Sequence, residues 1–353
     1  MNMVQPTIAN LQCPVPTLDF ETIHLGHGSG GLLTHRLLEA GVFALFDNEL
    51  LGKKHDGAVF NLQGKLAMST DTFVVSPLFF PGGNIGDLAV NGTVNDLAMC
   101  GARPKYLTLG LVLEEGLPVS NLLTILHSIK DACTRAGVSI ITGDTKVVEK
   151  GKGDGIFINT TGIGEIHQQA SIDIDNIRPG DQIILSGPLA RHGIAIMSLR
   201  EGLEFETTIN SDTRPLNNIV LSLLDNFGSD IRFLRDPTRG GVATVLNEIV
   251  AGAGFGVHIN QTVIPVDEEV NGACEMLGLD PLYVANEGLF IAIVSPQIAT
   301  ACLDQLRQWE FGSQAAIIGQ IVDDHAGQVI MTSGIGGRRV INMLAGEQLP
   351  RIC

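Results

Sequence analysis

Apolar residues return along this chain at two spacings, helical and alternating, and the switches between them predict a mixed helix-and-strand protein in two halves. Leu33, Leu37, Leu38 and Phe43 predict an amphipathic helix over 32–46. Residues 57–62 and 66–70 read as two strands joined at Gln63-Gly64, a hairpin signal. A helix of small residues follows over 83–100, then a strand over Tyr106–Leu113 and a helix over Val119–Ala136. The strand Val138–Thr142 ends in Gly143-Asp144-Thr145-Lys146, and Ile156–Gly162 is another strand. A polar stretch over 165–181, closing on Arg178-Pro179-Gly180-Asp181, marks the boundary between the halves.

The second half opens with a strand over Gln182–Ser186 and a helix running to about Leu199. Residues 200–230 carry no readable pattern. Helices are expected over 242–251, 268–277 and 296–308, strands near 255–260 and 289–294, and a final strand pair over 315–322 and 327–332. Gly162-Ile163-Gly164-Glu165-Ile166 and Ile318-Gly319-Gln320-Ile321 close the halves alike, a faint repeat.

Composition narrows the function. With 44% hydrophobic and 17% charged residues the chain is a folded globule. Lys+Arg 22 against Asp+Glu 38 gives a net charge of −16, which disfavours nucleic acid and anionic membranes as partners. No apolar run has the length of a membrane span, and residues 1–20 lack a signal peptide's basic start and apolar core. A soluble, cytoplasmic protein is expected. The six cysteines have no zinc spacing, and Cys100, Cys133, Cys274 and Cys302 read as buried thiols.

Several polar patterns resist a purely structural explanation. Glycines in 26–31 precede a helix, a turn or a backbone cradle for an anion. Asp87, Asn91 and Asn95 form one stripe of the helix over 83–100, with Asp96 beside it. Asn and Asp are poor helix formers, so a plain solvated face would favour Lys or Glu. Asp56, Asp71, Asp96, Asp144, Asp236 and Glu287 stand at strand ends and helix starts. Singly, each reads as a turn or cap residue; as a set, they could hold a polyphosphate through Mg²⁺. Walker A and serine-hydrolase patterns are absent, and no convincing GxGxxG follows a strand, which disfavours P-loop and dinucleotide-binding readings. Cys353, the last residue, is a thiol on an arm that could reach about 26–29 Å from Gly346 at roughly 3.3–3.6 Å per residue. It is either an idle solvated tail or a carrier of a chemical group into a site.

The segments His27–Gly31, Ser69–Asp71, 78–83, Asn95-Asp96, 141–148, Asp236–Gly241, Ala285–Gly288 and Pro350-Arg351-Ile352-Cys353 closely resemble the HypE family of hydrogenase maturation proteins. The likeness runs from about His27 to Cys353 and is poor over 200–230. It implies kinship with aminoimidazole ribonucleotide synthetase, selenophosphate synthetase and thiamine monophosphate kinase. The implied fold is a two-domain aminoimidazole ribonucleotide synthetase-like fold, α/β plus α+β, with a flexible C-terminal tail. Its parts would be an arm (1–24), an N-terminal ATP-binding and dimerisation domain (25–165), a C-terminal domain (166–340) and a mobile tail (341–353).

The resemblance also implies an ATP-dependent carbamoyl dehydratase. A carboxamide placed on Cys353 by the carbamoyltransferase HypF would be converted to a thiocyanate. Its cyano group would then pass to iron on a HypC–HypD scaffold, for a nickel–iron hydrogenase. Implied roles are Cys353 as carrier, Glu287 as base, and Lys146 as the cation neutralising the carboxamide oxygen or γ-phosphate. Asp56, Asp96 and Asp236 would be magnesium ligands. Gly28, Ser29, Gly30, Asp71, Asn95, Asp144, Thr238 and Gly240 would surround ATP, and a homodimer is expected. Two alternatives remain: a related small-molecule kinase or synthetase whose tail is not catalytic, and a binding module that pairs through the cysteine.

Overall fold

The computed structural model describes residues 20–202, 208–344 and 351–353. Most of the expected N-terminal arm, and Pro350 of the tail, lie outside them.

The first half is built from α1 (Leu32–Leu37), continued by a π-helical turn over Leu38–Phe43, then β1 (Leu66–Phe73), the short pair β2 (Phe79–Phe80) and β3 (Gly83–Asn84), and α2 (Ile85–Met99). It continues with β4 (Ala102–Glu114), α3 (Val119–Ala136), β5 (Ser139–Val148) and β6 (Ile156–Ile166). Four strands form a sheet in the order β1-β6-β4-β5, with only β4 and β5 parallel. α2 packs on β1, β6 and β4, and α3 packs on α2. Strand alternation decides which side chains of β1 face inward. Ser69, Asp71 and Phe73 turn toward α2, while Leu66 and Met68 are exposed on the other face at 43% and 71%.

The second half contains β7 (Gln182–Leu185), α4 (Arg191–Glu201), α5 (Asn217–Phe227), β8 (Ile231–Arg235), α6 (Gly241–Val250) and β9 (Gly256–Asn260). It ends with α7 (Glu268–Leu277), β10 (Ile291–Val294), α8 (Ala299–Leu306), β11 (Ala316–Val322), β12 (Val329–Thr332) and β13 (Arg338–Ile341). Seven strands run in the order β13-β12-β9-β11-β7-β10-β8. Ile183, Leu185, Ile291 and Ile293 pack with α6 and α7 on one face; Ile184, Ala292 and Val294 pack with α5 and α8 on the other. Burial on both faces explains why these strands are apolar at successive positions instead of alternating.

Four expectations are corrected. Residues 57–62 form no strand: among the described residues β1 pairs with β6 alone, and its other edge stays open. Gly143–Lys146 lies within β5, since parallel pairing with β4 continues to Val148. β11 and β12 do not pair; β9 lies between them. Cys100 is exposed, whereas Cys133, Cys274 and Cys302 are buried.

The Asn stripe of α2 meets neither solvent nor open cavity. Asn91 Nδ2 donates to Thr213 Oγ1 (3.1 Å) and Asn95 Nδ2 to the Arg214 carbonyl (3.0 Å), while Asn95 Oδ1 accepts from Leu216 N–H (2.8 Å). Both asparagines are buried and dock an irregular segment of the second half onto α2. Each such hydrogen bond contributes about 1 kcal/mol net, but leaving one half unpaired costs more. Gly82 (φ +91°) packs against the same segment; a Cβ there would lie 2.9 Å from both Ser211 N and O.

Candidate active site

Three loops converge where the halves meet, and Asn286 staples them. Its Nδ2 donates to the carbonyls of Pro237 (2.8 Å) and Val284 (2.9 Å), and its Oδ1 accepts from Ala190 N–H (2.7 Å). The next two residues are fixed by the buried carboxylate of Asp212, which accepts from Glu287 N–H (3.1 Å) and Gly288 N–H (3.0 Å). A Cβ on Gly288 would sit 1.7 Å from the Asp212 carbonyl oxygen, so only glycine permits this approach. Glu287 is thereby held 4% exposed, with Oε1 lacking any hydrogen-bond partner among the described residues.

Glu287 opens onto a cavity of about 30 Å³ shared with Asp71, Asp96, Asp236, Thr238 and Cys353. β1 supplies Asp71, α2 supplies Asp96, and the turn after β8 supplies Asp236 and Thr238. Asp96 accepts from Ser69 Oγ at 2.5 Å. Burial, then the charge of Asp96, pushes Asp71 up, and burial does the same to Asp96. The same two causes raise Asp236 to about 7. Glu287 is pushed well above the usual carboxylate range by burial and by Asp212 and Asp236. Burial and Glu287, which lines the same cavity, also raise the Cys353 thiol. These carboxylates repel one another across a small space without enough compensating charge, a donor set that suits a hard divalent cation. Among the described residues, no three acidic, histidine or cysteine side chains converge closely enough to hold a metal by themselves. A cation here would need further oxygens, as phosphates provide.

Cys353 reaches this cavity through a seated tail. Ile352 is 1% exposed and joins the core of the first half. Its carbonyl accepts from His192 Nε2 (2.8 Å), and His192 Nδ1 in turn accepts from Ser211 Oγ (2.8 Å). Ser211 Oγ accepts from Thr213 N–H (3.1 Å), so one chain of hydrogen bonds links tail, α4 and seam. Burial pushes His192 below its ordinary value, which keeps the ring neutral and able both to donate and to accept. Arg200 donates to the Arg351 carbonyl, and Arg351 Nη1 contacts both oxygens of Asp154 (3.0 and 2.9 Å).

A second cavity, of about 200 Å³, lies between α1 and β5. Gly28, Gly30, Asp144 and Lys146 line it, with Val42 and Leu109 among its apolar walls. Gly28 lies against the strand, since a Cβ would meet Val147 N at 2.7 Å. Lys146 Nζ donates to both Asp144 oxygens (2.7 and 2.6 Å), and this exposed pair holds Asp144 below the usual range.

The expected site residues thus divide. Asp71, Asp96, Asp236, Thr238, Glu287 and Cys353 share one cavity; Gly28, Gly30, Asp144 and Lys146 share the other. Lys146 is not brought to Cys353 within the protomer, because its ammonium is held by Asp144 across a single strand position. Asn95 is committed to the seam. Asp56 is exposed in the irregular segment before β1, because the expected hairpin does not form. Ser29 Oγ turns back to the Gly26 carbonyl (2.9 Å). Gly240 (φ +76°) opens α6, where a Cβ would lie 2.2 Å from Thr244 Oγ1. His192, Asp212 and Arg239 are functional candidates that pattern reading missed. Arg239 stands inside the singled-out turn Asp236–Gly241, whereas the other two carry no motif.

Comparison with known proteins matches this architecture. Residues 54–166 fit the model of the AIR synthase related protein, N-terminal domain, and 178–332 that of the C-terminal domain. The chain is 50% identical over 333 residues to the carbamoyl dehydratase HypE of Cupriavidus necator, covering 94% of this chain and 95% of that protein. The chain belongs to the HypE family. The Escherichia coli HypE is 40% identical over 337 residues, covering 94% and 99%. A crystal structure of HypE in complex with ATP superposes with a TM-score of 0.90 at 49% identity, covering 93% and 99%. That of a HypE–HypF complex gives 0.77 at 44%, covering 89% and 100%. The resemblance and the two-domain fold expected from it are both borne out, and the family makes this chain an enzyme, a carbamoyl dehydratase.

Proposed function

We propose that the substrate is a carboxamide carried on the Cys353 sulfur, dehydrated with ATP to a thiocyanate. The observation that carries this is the seating of Cys353 against Glu287 inside an acidic cavity. The ATP complex of a relative 49% identical supports nucleotide as co-substrate.

An amide oxygen is a poor leaving group. Transfer of the γ-phosphoryl group to it, with loss of ADP, makes it a good one. As the C–O bond breaks, its electron pair leaves with phosphate, and the nitrogen lone pair completes the triple bond. Both nitrogen protons depart, and the phosphate accounts for the water removed. Glu287 is the base. Burial and the charges on Asp212 and Asp236 raise its proton affinity, which strengthens it as a proton acceptor. Compensation of the Asp236 charge would remove one of the causes that raise it. Asp71, Asp96 and Asp236 would hold Mg²⁺, which supplies charge neutralisation for the phosphates. Asp56, assigned as a further magnesium ligand from sequence, has no support from the cavity geometry. Asp144, Lys146 and the glycine lip would receive the nucleotide in the larger cavity.

HypF as carbamoyl donor is supported by the HypE–HypF complex of a relative 44% identical. Homodimerisation through the first sheet accounts for the exposed Leu66 and Met68, and a HypC–HypD scaffold is the proposed acceptor. Intact-mass measurement tests the proposal: after supply of the carbamoyl donor system, Mg-ATP is expected to remove one water from modified Cys353. A Cys353→Ala chain is expected to take up no carboxamide and form no thiocyanate. A competent Cys353→Ala variant would overturn the reading.

A further inference from the structure

We infer that Arg239 is a catalytic residue whose guanidinium stabilises the negative charge developing on the carboxamide oxygen and transferred phosphoryl group. This rests on the chemistry proposed above. As its oxygen attacks phosphorus and later departs with it, negative charge develops on atoms attached to Cys353, inside a cavity ringed by carboxylates. Three carboxylates, Asp71, Asp96 and Asp236, outweigh the charge of one Mg²⁺, so an otherwise unassisted anion there still meets repulsion. Lys146 is bound to Asp144 in the other cavity.

Arg239 is the basic residue lining the Cys353 cavity, among the described residues. It acts on Cys353 and on Asp71 as an attractive charge. No hydrogen bond or ion pair engages it among the described residues, although four carboxyl groups line the same cavity. A cation placed for stability would have taken one of them. An exposed, unengaged guanidinium lining the cavity of the reacting sulfur instead leaves its planar fork for an incoming anion, and that fork matches phosphoryl oxygens in bidentate fashion. The backbone fixes its origin: the glycines after it, Gly240 (φ +76°) and Gly241 (φ +61°), turn the chain sharply into α6. A Cβ on Gly241 would lie 2.4 Å from the Leu282 carbonyl, which anchors the turn against the loop leading to Glu287.

The test is single-turnover dehydration of the full chain, carbamoylated on Cys353 and followed by intact mass after Mg-ATP addition. Arg239→Gln is expected to slow water loss about 10²–10³-fold, the typical effect of removing one preorganised donor. Carbamoylation and the affinity for a non-hydrolysable ATP analogue should stay within about threefold. Arg239→Lys, which keeps the charge but loses the fork, should recover part of the rate. Unchanged water loss in Arg239→Gln overturns the inference. So does loss of rate fully explained by weaker analogue binding, which would make Arg239 a ground-state nucleotide ligand. If the unsubstituted chain itself loses no water, the dehydratase reading fails first, and the two failures are distinguished.

Discussion

The two cavities of this protein use opposite electrostatic designs. Around Cys353, buried carboxyl groups lie close together and drive one another's proton affinities upward. Between α1 and β5, the charged residues Asp144 and Lys146 neutralise each other at the rim of a largely apolar space. A cavity of the first kind is destabilising until a cation and an anion enter it together. One of the second kind is ready for a half-apolar ligand and changes little when it binds. On the proposed function, the difference separates chemistry from holding: strain would be stored where bonds change, and shape provided where a ligand is recognised.

That division can be broken experimentally. Glu287→Gln keeps the side-chain shape but removes the base, and is expected to lower single-turnover dehydration about 10²–10⁴-fold with carbamoylation intact. Equal rates would place the proton transfer elsewhere. Lys146→Ala should act on holding: the KM for ATP is expected to rise about 10–100-fold, the loss of one charge-assisted contact, with kcat for the carbamoylated enzyme nearly unchanged. A fall in kcat alone would move Lys146 into the chemical step. His192→Ala should free the tail from its grip on Ile352. Alkylation of Cys353 by iodoacetamide is then expected to accelerate about tenfold, matching one buried hydrogen bond of roughly 1.4 kcal/mol. His192→Gln, which can still donate to the carbonyl, should restore part of the protection. An unaltered alkylation rate would mean that Ile352 packing alone seats the tail.

Much of the fold was legible because its pattern is local. The helix Val119–Ala136 has the expected limits and ends at Gly137, whose φ of +71° suits glycine. β7 and β10 announced themselves as short apolar runs. The hairpin over 57–70 failed because turn chemistry at Gln63-Gly64 does not decide which segments pair, and the outer edge of β1 stays open among the described residues. β9 inserts between β11 and β12 for the same reason. α5 was hidden in a stretch whose polar residues answer to α2, far away in sequence, as Asn95 and Leu216 illustrate.

What the chain determined alone was its kinds of element and its chemistry-bearing short segments: the glycine lip, the Asp-Pro-Thr-Arg-Gly-Gly turn, the Asn-Glu-Gly loop and the closing cysteine. Periodicity and motif spacing act within tens of residues, so they survive in one dimension. Only the tertiary structure decided which acidic residues meet. It drew Asp71, Asp96, Asp236 and Glu287 to Cys353 and committed Asn95 to a seam. It also left Lys146 in another cavity and set Arg239 on the lining of the Cys353 cavity. Proton affinity and charge depend on distances through space, and no spacing along a chain encodes those.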